Sequence, residues 1–339
     1  MVERVDAPTA ADVARLAGVS KATVSYVLSG RRSGSARVRD ETRQRVLEAV
    51  RSLDYVPNQS ARALRRRKTE RICLVLPRLG VPYFDALARE LQEAVAPHGY
   101  TLVIAVSDAD AERPAVIEQL RRRLADGVVI VPGAQVARAD VEALVPLNVA
   151  VVLVADEPAG DGVDVVQSNA SEACRGAVQY LVSSGHRRIG FIGHFPPNAA
   201  RYGRYEDYRA GLRANDLHLD PRLVVGGAAS RADAYRSAQR LLLQPDPPSA
   251  VFAASDLAAV STIWAARDEG LRVPHDVAVI GVGNIAEDLV MNPQLTSVGP
   301  TSVGSADIAE LLLSRLAGEA PAEGRTRLRQ WELVRRGSA

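Results

Sequence analysis

The sequence predicts an α/β chain: a small all-α head followed by a two-lobed body built on parallel sheets. Three observations carry that expectation. The first is length, since 339 residues exceed what one hydrophobic core normally serves. The second is a change of pattern near Arg71. Before it, apolar residues recur at helical spacing; after it, short continuous apolar runs alternate with amphipathic helical stretches. Strands that are apolar on both faces belong in parallel sheets covered on both sides. The third is charge. Residues 1–68 hold 15 Lys or Arg against 7 Asp or Glu, and the other 271 hold 27 against 33, so a head of +8 precedes a body of −6. A basic head on an acidic body is the footprint of a nucleic-acid module joined to a second unit.

After a frayed arm (1–8), Thr9 to Leu28 read TAADVARLAGVSKATVSYVL. Thr9 and Asp12 have capping-box spacing, and Val13, Ala14, Leu16 and Ala17 form the apolar face of a first helix. Gly18 sits where the turn needs positive φ, and Ser20 can cap a second helix. Val24, Val27 and Leu28 pack that helix back, leaving Lys21, Ala22, Ser25 and Tyr26 outward. This is a helix-turn-helix pattern, whose second helix can enter the major groove of DNA. An ordinary helical hairpin has the same local pattern, so the residues that follow decide.

Ser29 to Val38 is a Gly/Ser/Arg loop, able to meet phosphates or simply solvated. A third helix spans Asp40 to Leu53, with Val46, Leu47, Val50 and Leu53 on one face and Arg43 and Arg45 outside. Pro57 ends it, and Asn58 can cap a short helix to Leu64, followed by Arg65 to Lys68. Such a helix is too short to stand alone in water, and Leu64 has no core of its own.

In the body, strands are expected at 72–76, 101–106, 127–131 and 149–154, with helices near 83–96, 112–124 and 138–145. A second series has strands at 189–192, 223–225, 250–254 and 277–281, with helices near 170–184, 202–214, 231–243 and 256–269. Two such series imply two lobes with a ligand cleft at the carboxyl ends of the strands. The expected division is a DNA-binding head (1–56), a hinge helix and linker (57–70), a first lobe (71–168 with 300–322) and a second lobe (169–299 with 323–339).

Cys73 and Cys174 form neither a metal-ligand spacing nor a disulfide framework, and the five histidines show no paired motif, so no metal or cofactor is expected. No apolar run reaches membrane-spanning length and no signal-peptide pattern opens the chain, so a cytoplasmic location without a membrane partner is expected. GVGNIA (281–286) fits a dinucleotide-binding fingerprint after a strand, which would make the chain an NAD-binding enzyme. Against this, it falls in a late βα unit, and Thr301 to Ser305 offer no acid for a ribose. A transport-type binding protein using the lobes alone is a third class; the basic head argues against it.

The order of motifs resembles the lac repressor/galactose repressor family over nearly the whole chain. DVARLAGVSKATVSYVL and YVPNQSARALR come first, then SSGHRRIGFIG (183–193), FAASDLAAV (252–260), GLRVPHDVAVIG (270–281) and NPQLTSV (292–298). The resemblance implies a non-enzymatic transcriptional repressor with a body similar to periplasmic sugar-binding proteins. It would bind a pseudo-palindromic double-stranded operator as a homodimer, under control of a small molecule held between the lobes. Lys21, Ala22 and Tyr26 match the positions that read operator bases; Tyr26 replaces the usual Arg, giving one hydroxyl and a ring where a bidentate contact is common. Thr9, Ser20, Thr23 and Ser25 complete the implied head contacts. Asn58, Ala61 and Leu64 match a hinge helix that lies in the minor groove, with Leu64 as the wedge between base pairs.

For the effector, the resemblance points to Arg204, to Tyr83 and Phe84 as stacking rings, and to Ser107, Asp108 and Asp156 at strand ends. Ser255 and Asp256 replace a usual Asn-Asp, and Gly283 and Asn284 replace an Asp pair that accepts sugar hydroxyls. The expected ligand is therefore a different sugar, a phosphorylated sugar derivative or other phosphorylated ligand held by Arg204, or a non-sugar effector. Trp264 falls on the helix that lines the family's dimer interface, although core packing would also suit it. The segment WELVRRGSA carries no leucine heptad, which implies a dimer without a coiled-coil tetramer.

Overall fold

The computed structural model describes residues 8–28, 38–56, 68–107, 115–134, 136–156, 158, 160–193, 203–226, 230–300 and 305–339. The hinge residues Asn58, Ala61 and Leu64, the loop 29–37 and Asp108 lie outside them. The chain divides after Thr69 into two compact units.

Among its described residues the head unit has three helices, α1 (Ala10–Ala17), α2 (Lys21–Leu28) and α3 (Asp40–Ser52). Thr9 donates both its backbone N–H (3.0 Å) and its hydroxyl (2.7 Å) to Asp12 Oδ2, which caps α1. Gly18 turns the chain at φ 64°, its N–H reaching the carbonyls of Ala14 and Arg15. Ser20 Oγ then accepts the Thr23 N–H at 3.1 Å and starts α2. Val13, Ala14, Ala17, Val24, Val27, Val46 and Ala49 are the buried core. Leu16 departs from the expected face and is 57% exposed. The buried stripe of α1 runs through 13, 14 and 17, and Leu16 lies about 60° beyond its edge at Val13.

The body holds two six-stranded sheets. The first is ordered β11-β5-β4-β3-β1-β2 and the second β12-β10-β9-β8-β6-β7. The first contains β1 (Arg71–Leu76), β2 (Thr101–Val106), β3 (Gly127–Ile130), β4 (Ala150–Val154), β5 (Val163–Ser168) and β11 (Thr326–Arg329), all paired in parallel. The helices α4 (Pro82–Val95) and α11 (Ala306–Ala317) cover one face; α5 (Ala115–Arg121) and α6 (Arg138–Glu142) cover the other. The second sheet contains β6 (Ile189–Ile192), β7 (Val224–Val225), β8 (Ala250–Ala253), β9 (Ala278–Val282), β10 (Thr296–Pro300) and β12 (Trp331–Val334). Only β12 runs antiparallel, against β10. Its faces carry α7 (Ala170–Ser183) with α8 (Arg204–Arg213), and α9 (Arg231–Leu242) with α10 (Asp256–Asp268). No helix among the described residues is long and apolar enough to cross a membrane.

The expected strands are present, and the structure adds β5, β10, β11, β12 and helix α11. It also corrects one boundary. Residues 323–339 were expected in the second lobe, but Thr326–Arg329 pair with β5 in the first sheet, so the last crossing lies at Gln330. The cause is Asp164, a fully buried carboxylate in β5. It accepts from Arg315 Nη2 at 2.6 Å and Nε at 2.9 Å. It also accepts from the Arg325 backbone N–H at 2.8 Å and from Arg325 Nη2 at 2.7 Å. These contacts hold the returning chain on the first sheet before it leaves for the second. Burial alone would raise the Asp164 carboxyl; the hydrogen bonds from Arg315 and Arg325 outweigh it and hold the group below its ordinary value.

Asp164→Ala strands two guanidiniums at a buried site and is expected to lower the unfolding free energy of the body by about 3–5 kcal/mol in urea melts. The carboxylate's contribution is present above about pH 4 and lost as pH falls through its depressed value. An unchanged urea midpoint would overturn the assignment of Asp164 as the clamp.

Candidate DNA-reading helix and ligand cleft

At the start of α2, Lys21 and Ala22 are exposed, and Thr23, Ser25 and Tyr26 are half-buried. Ser20 and Thr23 hydroxyls bond each other at 2.9 Å, which fixes the first turn. No acidic side chain stands in that turn, so the helix end keeps its partial positive charge beside Lys21. Arg43 and Arg45 of α3 are exposed, as expected from the spacing. This small surface presents two short side chains and one lysine on a rigid, capped helix end, suited to approach base edges closely.

The body carries a cleft of about 410 Å³ where strands of both sheets end. Of the expected effector residues, Tyr83, Phe84, Asp156, Arg204 and Ser255 line it; Ser107, Asp256 and Asn284 do not. Tyr83 and Phe84 stand in the first turn of α4, their rings edge-on at 5.6 Å. Ser255 lines the cleft while its hydroxyl caps α10 by accepting the Ala258 N–H at 3.3 Å. Arg204 opens α8. Its guanidinium lies 5.3 Å from the Trp331 ring centroid, donates to Cys174 Sγ at 3.2 Å and stands 3.8 Å from Asp207. Burial raises the Asp207 carboxyl, and Arg204 draws it back down.

Among the polar and tryptophan lining residues, Arg78, Gln167, Ser168, Ser171, Arg329 and Trp331 escaped the sequence reading. Arg78 follows Pro77 at the end of the first apolar run, where a charge on a strand's carboxyl end was a readable signal. Arg329 and Trp331 flank the last crossing, which the expected boundary had moved away from the cleft. The Arg329 guanidinium is held by both carboxylate oxygens of Asp307.

Asp256 and Asn284 belong to the interior of the second lobe. Ser297 Oγ donates to Asp256 Oδ1 at 2.5 Å, and the Ile285 N–H reaches Oδ2 at 3.2 Å. The amide of Asn284 is spent on Arg336 Nη2 (2.6 Å) and the Pro300 carbonyl (3.2 Å). Asp288 is fully buried in the same lobe interior, with Arg336 Nη1 3.8 Å from its Oδ2. Burial first, then the Asp256 charge, pushes the Asp288 carboxyl well above the ordinary range, while Arg336 pulls the other way.

Asp256 explains the glycines of GVGNIA. A Cβ at Gly281 would stand 2.3 Å from Asp256 Oδ1, and one at Gly283 2.6 Å from Oδ2. Gly283 also has φ 143°, where side chains are strained. The fingerprint thus makes room for a carboxylate. It leads into a single 3-10 turn, Ala286–Leu289, and offers no α-helix N-terminus for a pyrophosphate, which removes the dinucleotide reading. Among the described residues, no cluster of three or more His, Cys, Asp or Glu could hold a metal ion.

Residues 9–58 match the model of bacterial regulatory proteins of the lacI family, and residues 178–339 match the periplasmic binding protein-like domain. Over 308 residues the chain is 30% identical to catabolite control protein A of Priestia megaterium, covering 90% of this chain and 91% of that one. The solved complex of the transcriptional regulator CelR with cellobiose is similar at TM-score 0.66 and 30% identity, covering 98% of this chain and all of that one. The lac repressor dimer bound to operator and the anti-inducer ONPF shares the fold at TM-score 0.76 and 22% identity, covering 98% of each chain.

A carboxyl whose folded value is raised gives stability that is full below its ordinary value, about pH 4, and lost as pH rises through the raised value. Asp288→Asn keeps the side chain's shape and removes the titrating proton. Urea midpoints measured across this range should fall with rising pH in the unaltered protein and fall less in the variant. Parallel pH trends in the two proteins would overturn Asp288 as the titrating group.

Proposed function

The chain belongs to the LacI family of bacterial regulatory proteins, and we propose that it represses transcription as a homodimer on a pseudo-palindromic operator. It is a DNA-binding transcriptional regulator with an effector-binding body. The observation that carries the DNA-reading assignment is the capped start of α2, which exposes Lys21 and Ala22 in a basic unit. In this reading Lys21 and Ala22 meet base edges and Tyr26 offers its ring and hydroxyl. Thr9, Ser20, Thr23 and Ser25 set the helix against the phosphates, and Asn58, Ala61 and Leu64 supply the minor-groove hinge. A regulator of this kind acts where bacterial DNA lies, in the cytoplasm.

Exposed apolar side chains support the dimer. Trp264 is 42%, Leu289 55% and Val290 82% exposed on the second lobe, and Ile104 and Val106 are exposed on the edge strand β2 of the first. Arg231 covers the Trp264 ring at 5.6 Å and pairs with Glu287 at 2.5 Å, linking Trp264 to the turn that leads to Leu289 and Val290. Large exposed apolar side chains gathered in this way mark an interaction surface. A second copy satisfies them, and its two-fold symmetry matches an operator with two half-sites.

The cleft is the effector site. Naming of the solved relative CelR with cellobiose supports a sugar or sugar derivative as its ligand class. A ligand alters operator affinity only through unequal affinity for two arrangements of the lobes. Among the described residues, the crossings after β5 and at Gln330 are the segments that would flex.

Selection of bound duplexes from a random pool with the full chain tests the regulator reading. A two-fold-symmetric site is the expected result; recovery of unrelated sequences only would overturn it. Lys21→Ala should change the preferred bases within that site, whereas an equal loss on all sequences would reassign Lys21 to a phosphate. Val290→Asp should weaken self-association about tenfold or more in sedimentation and weaken operator binding with it. An undisturbed dimer would remove this patch from the interface.

A further inference from the structure

We propose that the first lobe itself grips DNA: Arg121, Arg122 and Arg123, at the end of α5, contact backbone phosphates beside the site read by the head. This rests on the DNA-binding reading above and adds to it a contact that ignores base sequence. The first support is that all three arginines are exposed and uncompensated. The body is acidic overall, and its exposed arginines are commonly matched, Arg89 with Glu93, Arg222 with Asp220, Arg236 with Asp233 and Arg272 with Asp276. Among the described residues, no carboxylate oxygen lies within 4.0 Å of the Arg121, Arg122 or Arg123 guanidinium, and these side chains make no hydrogen bond.

The second support is the backbone that presents them. The Leu124 N–H reaches the Gln119 carbonyl and the Arg123 N–H the Leu120 carbonyl, both at 2.9 Å, so α5 ends in a Schellman turn. The left-handed residue of that turn is Arg123, at φ 63°. After α1 and α11 the same position holds Gly18 and Gly318, at φ 64° and 78°. Glycine takes this conformation freely, and arginine does not. A cation near a helix C-terminus offsets the helix dipole, but Arg121 already meets that need. A third arginine kept in a disfavoured conformation is strain retained for another use. Leu124 packs onto the core beneath the turn, which fixes the three side chains' starting points.

The third support is the place of the turn. Between the parallel strands β2 and β3, α5 runs back across the sheet, so its last turn lies at the strands' amino ends, away from the cleft. The strand β1 begins at that same end. The Asp126 N–H reaches the Arg71 carbonyl at 2.9 Å, and the Asp126 carboxylate accepts the Glu70 N–H at 2.8 Å. Glu70 is where the chain from the head enters the body. The covalent tether to a DNA-bound head is therefore made at this end of the lobe, by a linker whose sequence closes on Arg65, Arg66, Arg67 and Lys68. Of the acids close in the chain, Asp126 holds that backbone contact, and neither Glu118 nor Glu70 pairs with the three arginines. A guanidinium fork meets two phosphate oxygens at once, and a run of three suits a repeating polyanion.

The test is binding of the full chain to a labelled mixed-sequence duplex of about 40 base pairs, read by fluorescence anisotropy between about 50 and 300 mM KCl. Arg121→Gln, Arg122→Gln and Arg123→Gln together should weaken binding about tenfold or more at the low-salt end. They should also flatten the slope of log affinity against log salt by about two to three per bound chain. Arg213→Gln with Arg267→Gln removes two exposed charges from the second lobe and should leave the slope unchanged. Arg123→Gly alone should melt no lower than the unaltered chain and still bind the duplex more weakly, since glycine relieves the turn and takes away one contact. An unchanged slope in the triple variant, or an equal flattening in the second-lobe variant, would overturn the contact. If the unaltered chain binds no duplex at any salt, the DNA-binding reading falls as well. Binding with an unchanged slope removes this contact alone.

Discussion

The body depends on one buried ion cluster. Asp164, inside a strand that is otherwise apolar, binds Arg315 from the last helix and Arg325 from the chain that returns after it. A carboxylate out of water needs its lone pairs filled, and five nitrogen donors close on it here. The route of everything beyond residue 325 follows. The chain adds β11 to the first sheet, crosses, and adds β12 to the second. In crossing it carries Arg329 and Trp331 into the cleft. A charge placed for folding thereby furnishes two walls of the ligand site.

Much of this was legible in the sequence, because the head and the inner strands obey simple periodicities. The capping box at Thr9, the turn at Gly18 and the cap at Ser20 are local chemistry and appear where their residues predict. The strands at 72–76, 101–106 and 189–192 are plain apolar runs. What stayed hidden depends on partners distant in the chain. VDVVQS is interrupted by Asp164, whose compensation lies about 150 residues away, so no local pattern marks it as a strand. TRLR looks like a solvated segment until Arg327 meets Glu310 and Arg329 meets Asp307.

The candidate site shows the same division. Residues in a first helical turn or just past a strand end, such as Tyr83, Phe84, Asp156 and Ser255, reach the cleft. Asp256 and Asn284, one position further in register, turn into the lobe and build its support. The motif GVGNIA was ambiguous for a physical reason: glycine is needed wherever another group approaches the backbone closely, and the motif alone does not say which group. Here the group is the carboxylate of Asp256, and the approach distances leave no room for a side chain at 281 or 283.

The edge strands also set a timetable for biosynthesis. Residues 326–329 complete one sheet and residues 331–334 the other. A chain growing from its N-terminus can finish the head unit once residue 69 has left the ribosome, long before either lobe is whole. Both lobes then stay incomplete until nearly the same moment, near residue 334. During that interval the inner strands already made have open edges at β5 and β10, the kind of surface that chaperones shield and that aggregation exploits. The cell therefore holds, for a time, nascent chains with a finished DNA-binding head and no ligand cleft. Keeping such species scarce is a cost of stitching two lobes together with one late segment.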